Sequence, residues 1–319
     1  MIKTMIVGLD GSSTAEGVLP YVETIARATG ATVTLVRVVS TQPEGEPLQE
    51  ENAQLVPITV MMPLQRPHAA DEAARNERYD AEHYLDGIVQ RLGTHGIVSD
   101  SVVVSGEPAT VLLDEARGRH ADLILLATHG RSGLGRLIYG SVAEAVLAKS
   151  AVPVFLARAR KAGQGAPFGG KEAPILVALD TTKEAERALP LARELASAIS
   201  TGLSLIEIVP TVADETLSEG GWARDFPPDI QAQEEKNAQD YLATVSAQTR
   251  AAGVPVTVSV RTDTIGAGIA AAARDSHACL IVMATHAPTG LVRVLAGSVA
   301  LEVLHRVGLP MLLVGPHTT

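Results

Sequence analysis

Chemistry in this sequence concentrates in one stretch and its echo. ATHGRSGLGRLIYGSVAEAV (Ala127–Val146) follows an apolar run and sets glycines, hydroxyls and two arginines ahead of a helix start. Gly130, Gly133, Gly135 and Gly140 allow close backbone approach and positive φ. Gly140-Ser141 then opens a helix whose free N–H groups and dipole favour an anion. Ser141 either caps that helix or gives its hydroxyl to an oxygen ligand. Arg131 and Arg136 supply charge suited to a phosphate. The alternatives on pattern alone are anion binding and a tight turn with a capping serine.

A carboxylate belongs to the same picture. Asp10 ends the apolar run of VGLDGSS, and Asp180 stands at the same place in VALDTTK. Its readings are a ligand group at a strand end, or a turn stabilised through Ser12. His129 and His286 lie close to the glycine-rich stretches, but nothing forms a Ser/His/Asp constellation by spacing, so a structural or ligand-edge role is expected. The other histidines show no metal-ligand spacing. Cys279 is the single cysteine, which excludes an intrachain disulfide and reads as a small buried hydrophobe. The acidic run Glu44–Asn52 reads as a solvated face, and Trp222 is a lone aromatic in a loop.

Composition bounds the classes. The chain has 319 residues, enough for two domains, and is 46% hydrophobic with only 3% aromatics, so Leu, Val, Ile and Ala must build the core. A net charge of −10 argues against broad contact with nucleic acid or an anionic membrane, though one phosphate can still be held locally. No apolar run reaches the ~18 residues that span a bilayer. The opening MIKTMIVGLDGSS lacks the charged, apolar and cleavable order of a signal peptide, and a cytoplasmic protein is expected.

The elements that must position these residues occur twice. Met5–Val39 lies over Ile175–Val209 at one offset, matching Leu19-Pro20 with Leu189-Pro190 and Val38 with Ile208. At a smaller offset Tyr84-Leu85 meets Tyr241-Leu242, Gly140-Ser141 meets Gly297-Ser298, and Pro153 meets Pro310. The extra residues fall within Thr41–Ala70, a connection that reads as a lid or a disordered segment. Two domains are therefore expected at 1–159 and 174–319, joined by a Gly, Ala and Pro-rich flexible linker at 160–173. In the first half, strands are expected at Met5–Leu9, Thr32–Val39, Ser101–Ser105, Asp122–Ala127 and Val152–Arg158. Helices are expected from Val18, with Pro20 in its first turn, over Asp71–Leu92, from Pro108 to about Arg119, and over Gly140–Lys149. Strands alternating with helices predict an α/β fold: in each half a five-stranded parallel sheet covered on both faces, with ligands beyond the carboxyl ends of the strands.

Residues Ala127–Ser141 resemble the nucleotide-binding signature of the universal stress protein family: Gly, two residues, Gly, nine residues, Gly, then Ser or Thr. Gly130, Gly140 and Ser141 match it, while Ala127 replaces the first glycine. VGLDGSS, TVTLVRVV and VPVFLA also resemble the family's strands, and both halves are covered. The resemblance implies a tandem protein of two Rossmann-like, adenine-nucleotide α hydrolase-like domains. It implies that Asp10 meets the ribose or a bound Mg²⁺, that Val38 and Leu126 line the adenine pocket, and that Gly8 and Ala127 lend backbone near the adenosine. Gly130, Gly140, Ser141 and Val142 would hold the phosphates of ATP. The second half keeps Asp180, Ile208, Gly297 and Ser298, with Ala178, Met283 and Val299 at the other matching positions, but Ala284 and Ala287 replace glycines and Pro288 stands at the Arg131 position. A weaker or absent second site is expected.

The resemblance further implies a stress-response regulator or sensor, its halves packed as a pseudo-dimer with their last strands adjacent, with a homodimer and a regulatory protein as partners. A slow ATPase or nucleotidyl-transfer enzyme and a nucleotide-independent scaffold are the alternatives.

Overall fold

The computed structural model describes residues 1–39, 67–128, 140–158, 168–170, 172–210, 228–285, 298–315 and 318. The first half runs β1 (Thr4–Gly8), a 3₁₀ turn (Ala15–Val18), α1 (Leu19–Thr29), β2 (Thr32–Val39), α2 (Pro67–Thr94), β3 (Ser99–Ser105), α3 (Pro108–Gly118), β4 (Leu123–Thr128), α4 (Ser141–Lys149) and β5 (Val154–Arg158). The second runs β6 (Ile175–Leu179), α5 (Lys183–Glu186), α6 (Ala188–Ala198), β7 (Leu203–Pro210), α7 (Pro228–Ala251), β8 (Val256–Asp263), α8 (Ile265–Asp275), β9 (Leu280–Ala284), α9 (Ser298–Arg306) and β10 (Met311–Val314).

Local chemistry sets the ends. Pro20 is the second residue of α1, where its missing N–H is lost to no intrahelical bond, and Gly30 ends that helix at φ 72°. β2 occupies the residues expected. β3 starts earlier than its apolar run because ladder pairing with β2 extends back to Val33 opposite Ser99. β5 starts later, at Val154, because the Ser150 hydroxyl donates to the Val152 carbonyl at 2.6 Å and folds the approach into a turn.

Within each half the strands pair in parallel, in the order 3-2-1-4-5 and its copy. Among the described residues the two sheets fuse into one of ten strands, β3-β2-β1-β4-β5-β10-β9-β6-β7-β8. The fusion is the antiparallel pair β5–β10, with Phe155 opposite Leu312. Thus the duplicated last strands are the ones that meet, as in the pseudo-dimer expected. Alternation along buried strands feeds two cores. Val7, Leu123 and Leu125 face the layer of α1, α2, α6 and α7. Ile6, Ile124 and Leu126 face the layer of α3, α4, α8 and α9.

The described end of the linker is docked, in contrast to the flexibility its composition suggests. Phe168 meets Tyr21 edge-on at 5.1 Å and Phe155 at 5.9 Å. Three rings therefore close over the seam between halves. Among the described residues no helix is long and apolar enough to cross a membrane.

Candidate functional site

The strand order reverses at β1 and β4, so the chain leaves their carboxyl ends in opposite directions and opens a crevice between them. Gly8 ends β1 there, Asp10 follows it, and Val38 comes from neighbouring β2. Leu126 and Ala127 contribute the end of β4, and Gly140, Ser141 and Val142 the start of α4. These residues line one cavity of about 230 Å³. Gly130 and Arg131, with Gly133, Gly135, Arg136 and His129, lie outside the described residues.

Sequence reasoning missed part of this wall. Val36 lies one period-2 step from Val38 and shares its face of β2. Pro108 and Leu112 bring the first turns of α3 to the crevice. Their signal was Pro108 itself, which marks a helix beginning just beyond a strand's carboxyl end.

Gly8 gives the cavity its depth. A β-carbon there would stand 2.6 Å from Leu126 Cδ2 and 3.2 Å from Leu112 Cδ2. The missing side chain leaves bare backbone as the floor.

The two helices that point their N-termini at the crevice are finished differently. Glu107 caps α3, accepting from Ala109 N at 3.0 Å and Thr110 N at 2.7 Å. The Thr110 hydroxyl and these two N–H groups hold its carboxyl below the usual glutamate range. The donors of α3 are therefore spent within the protein. α4 is capped by Gly140, at φ 85° and without a side chain, and Ser141 is already its first helical residue. The serine's capping alternative is not what the structure adopts, and among the described residues no side chain caps the first turn of α4.

Asp10 is exposed and accepts from Ser12 N at 2.8 Å, so it stabilises its turn while the residue also lines the cavity. Among the described residues no three His, Cys, Asp or Glu side chains converge as metal ligands.

On the opposite face of β2, Arg37 lies over the Tyr84 ring, 5.3 Å from its centroid, and the Tyr84 hydroxyl donates to Glu16 at 3.2 Å. Burial, with Glu16 beside it, raises this hydroxyl above the usual phenol range.

The second half repeats the plan with substitutions. Ala178 puts a methyl group where Gly8 has none. Asp180 accepts from Thr182 N at 3.1 Å, as Asp10 does from Ser12. Ile208 reaches α8, where a β-carbon on Gly268 would lie 2.7 Å from its Cδ1. Met283 and Ala284 end β9, and Val299 is half-buried in α9. The Glu302 carboxylate of α9 lies directly against Gly266 of α8, which has no side chain to oppose it. Ala145 stands at the matching place in the first half. Gly297, His286, Ala287, Pro288 and Trp222 lie outside the described residues, as do Thr41–Arg66. Cys279 is buried, and burial pushes its thiol up.

A sequence model of the universal stress protein family matches residues 1–158 and again 173–315. A universal stress protein of Thermus aquaticus is 30% identical over 160 residues, which are 50% of this chain and 100% of the relative. One from Mycobacterium tuberculosis is 29% identical over 192 residues, 60% of this chain and 61% of the relative. Among solved structures, a universal stress protein from Archaeoglobus fulgidus superposes with a TM-score of 0.68 at 20% identity, covering 98% of both chains. That likeness concerns the fold.

Proposed function

We propose that this chain, which belongs to the universal stress protein family, holds ATP in the crevice of its first half and acts as a stress-response regulator. The observation that carries the reading is Gly8, whose bare backbone leaves a slot that a β-carbon would close against Leu126. A flat ring fits such a slot. Adenine lies on Val36, Val38 and Leu126, the ribose reaches Asp10, and the phosphates meet the uncapped start of α4 at Gly140, Ser141 and Val142. Gly130, Arg131 and Ala127 belong to the same site. Mg²⁺, which is commonly held by one or two carboxylates together with substrate phosphates, is served here by Asp10.

The second half binds more weakly or not at all. Ala178 fills the slot, Ala284 replaces a signature glycine as Ala127 does in the first half, Ala287 replaces one that the first half keeps as Gly130, and Pro288 removes both a donor and the cation that Arg131 supplies. Its crevice residues would be Ala178, Asp180, Ile208, Met283, Ala284, Gly297, Ser298 and Val299. In this reading the protein works in the cytoplasm. A regulatory protein or a second copy reads the nucleotide-bound state of the first half.

Calorimetric titration of ATP into the native chain, Gly8→Val and Ala178→Val tests the assignment, with unfolding midpoints as a control. Gly8→Val is expected to weaken binding by about tenfold or more, a difference of ~1.4 kcal/mol, while Ala178→Val leaves it unchanged. Unaltered affinity in Gly8→Val would remove the crevice from the account, and loss in Ala178→Val would move the site to the second half.

A further inference from the structure

The halves differ most sharply at a place where they are otherwise alike. Beside β2, Arg37 lies over Tyr84, and Tyr84 donates to Glu16. Beside β7 the tyrosine and its acceptor recur, with the Tyr241 hydroxyl donating to Glu186 at 3.2 Å. The offset that carries Asp10 onto Asp180 and Glu16 onto Glu186 carries Arg37 onto Glu207. A cation has become an acid.

That acid is buried. Glu207 is 8% exposed, and its Oε2 finds no hydrogen-bond partner among the described residues. From the end of β6 Asp180 acts on it, and from α7 Glu234, both acidic. Tyr241 of α7 shares this surround and is held by Glu186 of α5. The β8 residue opposite Glu207 is Val260, which carries no charge. A buried carboxylate in such company must find a cation or a metal, or keep its proton. At the equivalent place the first half has the cation itself, Arg37, over the Tyr84 ring. Among the described residues of the second half, no cluster of three metal-ligating side chains exists.

We propose that Glu207 is a proton-binding site of the second half: it is held as the neutral acid, and loss of its proton loosens the seat of α7 on β7. Burial first, then Asp180 and Glu234, push its carboxyl up to about 7 from an ordinary value of 4.5. Between these values the unfolded chain releases the proton while the folded chain keeps it. Stability therefore falls as pH rises through that interval and levels off above it. The neutral range becomes the range in which the second half responds to pH.

The test compares the full-length native chain with Glu207→Gln, which copies the neutral acid in shape. Unfolding midpoints are expected to coincide near pH 4, below the unfolded value, and the glutamine variant to melt several degrees higher at pH 8. Carbon-13 resonances of the native chain's carboxyls should show one glutamate titrating near neutrality, assigned by its displacement in Glu207→Asp. If every glutamate titrates in the ordinary carboxylate range, or if the two midpoints run parallel at all pH values, the proposal is overturned. It is overturned equally if Mg²⁺ or Mn²⁺ at pH 8 raises the native midpoint and leaves Glu207→Gln unmoved, which would put a metal ion where the proton is assigned.

Discussion

A β-carbon on Gly11 would stand 3.2 Å from the guanidinium of Arg37. In the second half Glu207 replaces Arg37, and the Gly11 position is held by Thr181. The backbone keeps its left-handed turn in both places, at φ 86° for Gly11 and 65° for Thr181. The glycine thus serves twice, by accepting that conformation and by leaving room for the arginine. Thr181 is a β-branched residue in a region that disfavours it.

Thr181→Gly should therefore stabilise the protein by about 1 kcal/mol. Gly11→Thr should destabilise it by more, because the new side chain also meets Arg37. Urea denaturation followed by circular dichroism measures both, and a stabilising Gly11→Thr would contradict this reading.

The second crevice should be improvable. Ala178→Gly combined with Ala287→Gly and Pro288→Arg restores the slot, the glycine and the cation of the first half. ATP affinity at the second site is expected to rise, read by titration in a Gly8→Val background in which the first site is weakened. No second-site heat in the combined variant would mean that other residues close it.

Glu107 predicts an acid-dependent cap. Its folded carboxyl lies below the ordinary glutamate range, so its charge stabilises the protein above pH 4.5 and ceases to do so as pH falls through the folded value. Glu107→Ala should cost about 1 kcal/mol at neutral pH. The gap from the native chain should narrow in acid, as measured by denaturation at stepped pH.

Phe155 tests whether the halves hold together as one unit. It is fully buried, pairs with Leu312 across the seam and touches Tyr21 and Phe168. Phe155→Ala should destabilise by about 3–5 kcal/mol. Hydrogen exchange should quicken on β10 as well as on β5, and loss of protection on β5 alone would contradict a shared core.

Much of the crevice is legible in the sequence because it is made of strand ends. Gly8 and Asp10 close one apolar run, Leu126 and Ala127 another, and such ends gather where the strand order reverses. Pro108 and Leu112 were harder to see. Helical periodicity reports which face of α3 is buried, not which end of it reaches a neighbouring cleft. Glu207 was hidden for another reason. An acid inside an apolar strand reads as an exposed position until the two halves are superposed and Arg37 is found in its place. The docked linker end rested on Phe168 alone, an aromatic within a stretch whose glycines and prolines suggest freedom.

The most direct measurement is a count of nucleotides. The purified chain, incubated with ATP and freed of excess, is denatured, and the released nucleotides are identified and quantified by liquid chromatography and mass spectrometry. A competent first crevice with a closed second one predicts about one ATP per chain. Two per chain would contradict the asymmetry argued from Ala178 and Pro288, and none would contradict the nucleotide reading of the first crevice itself.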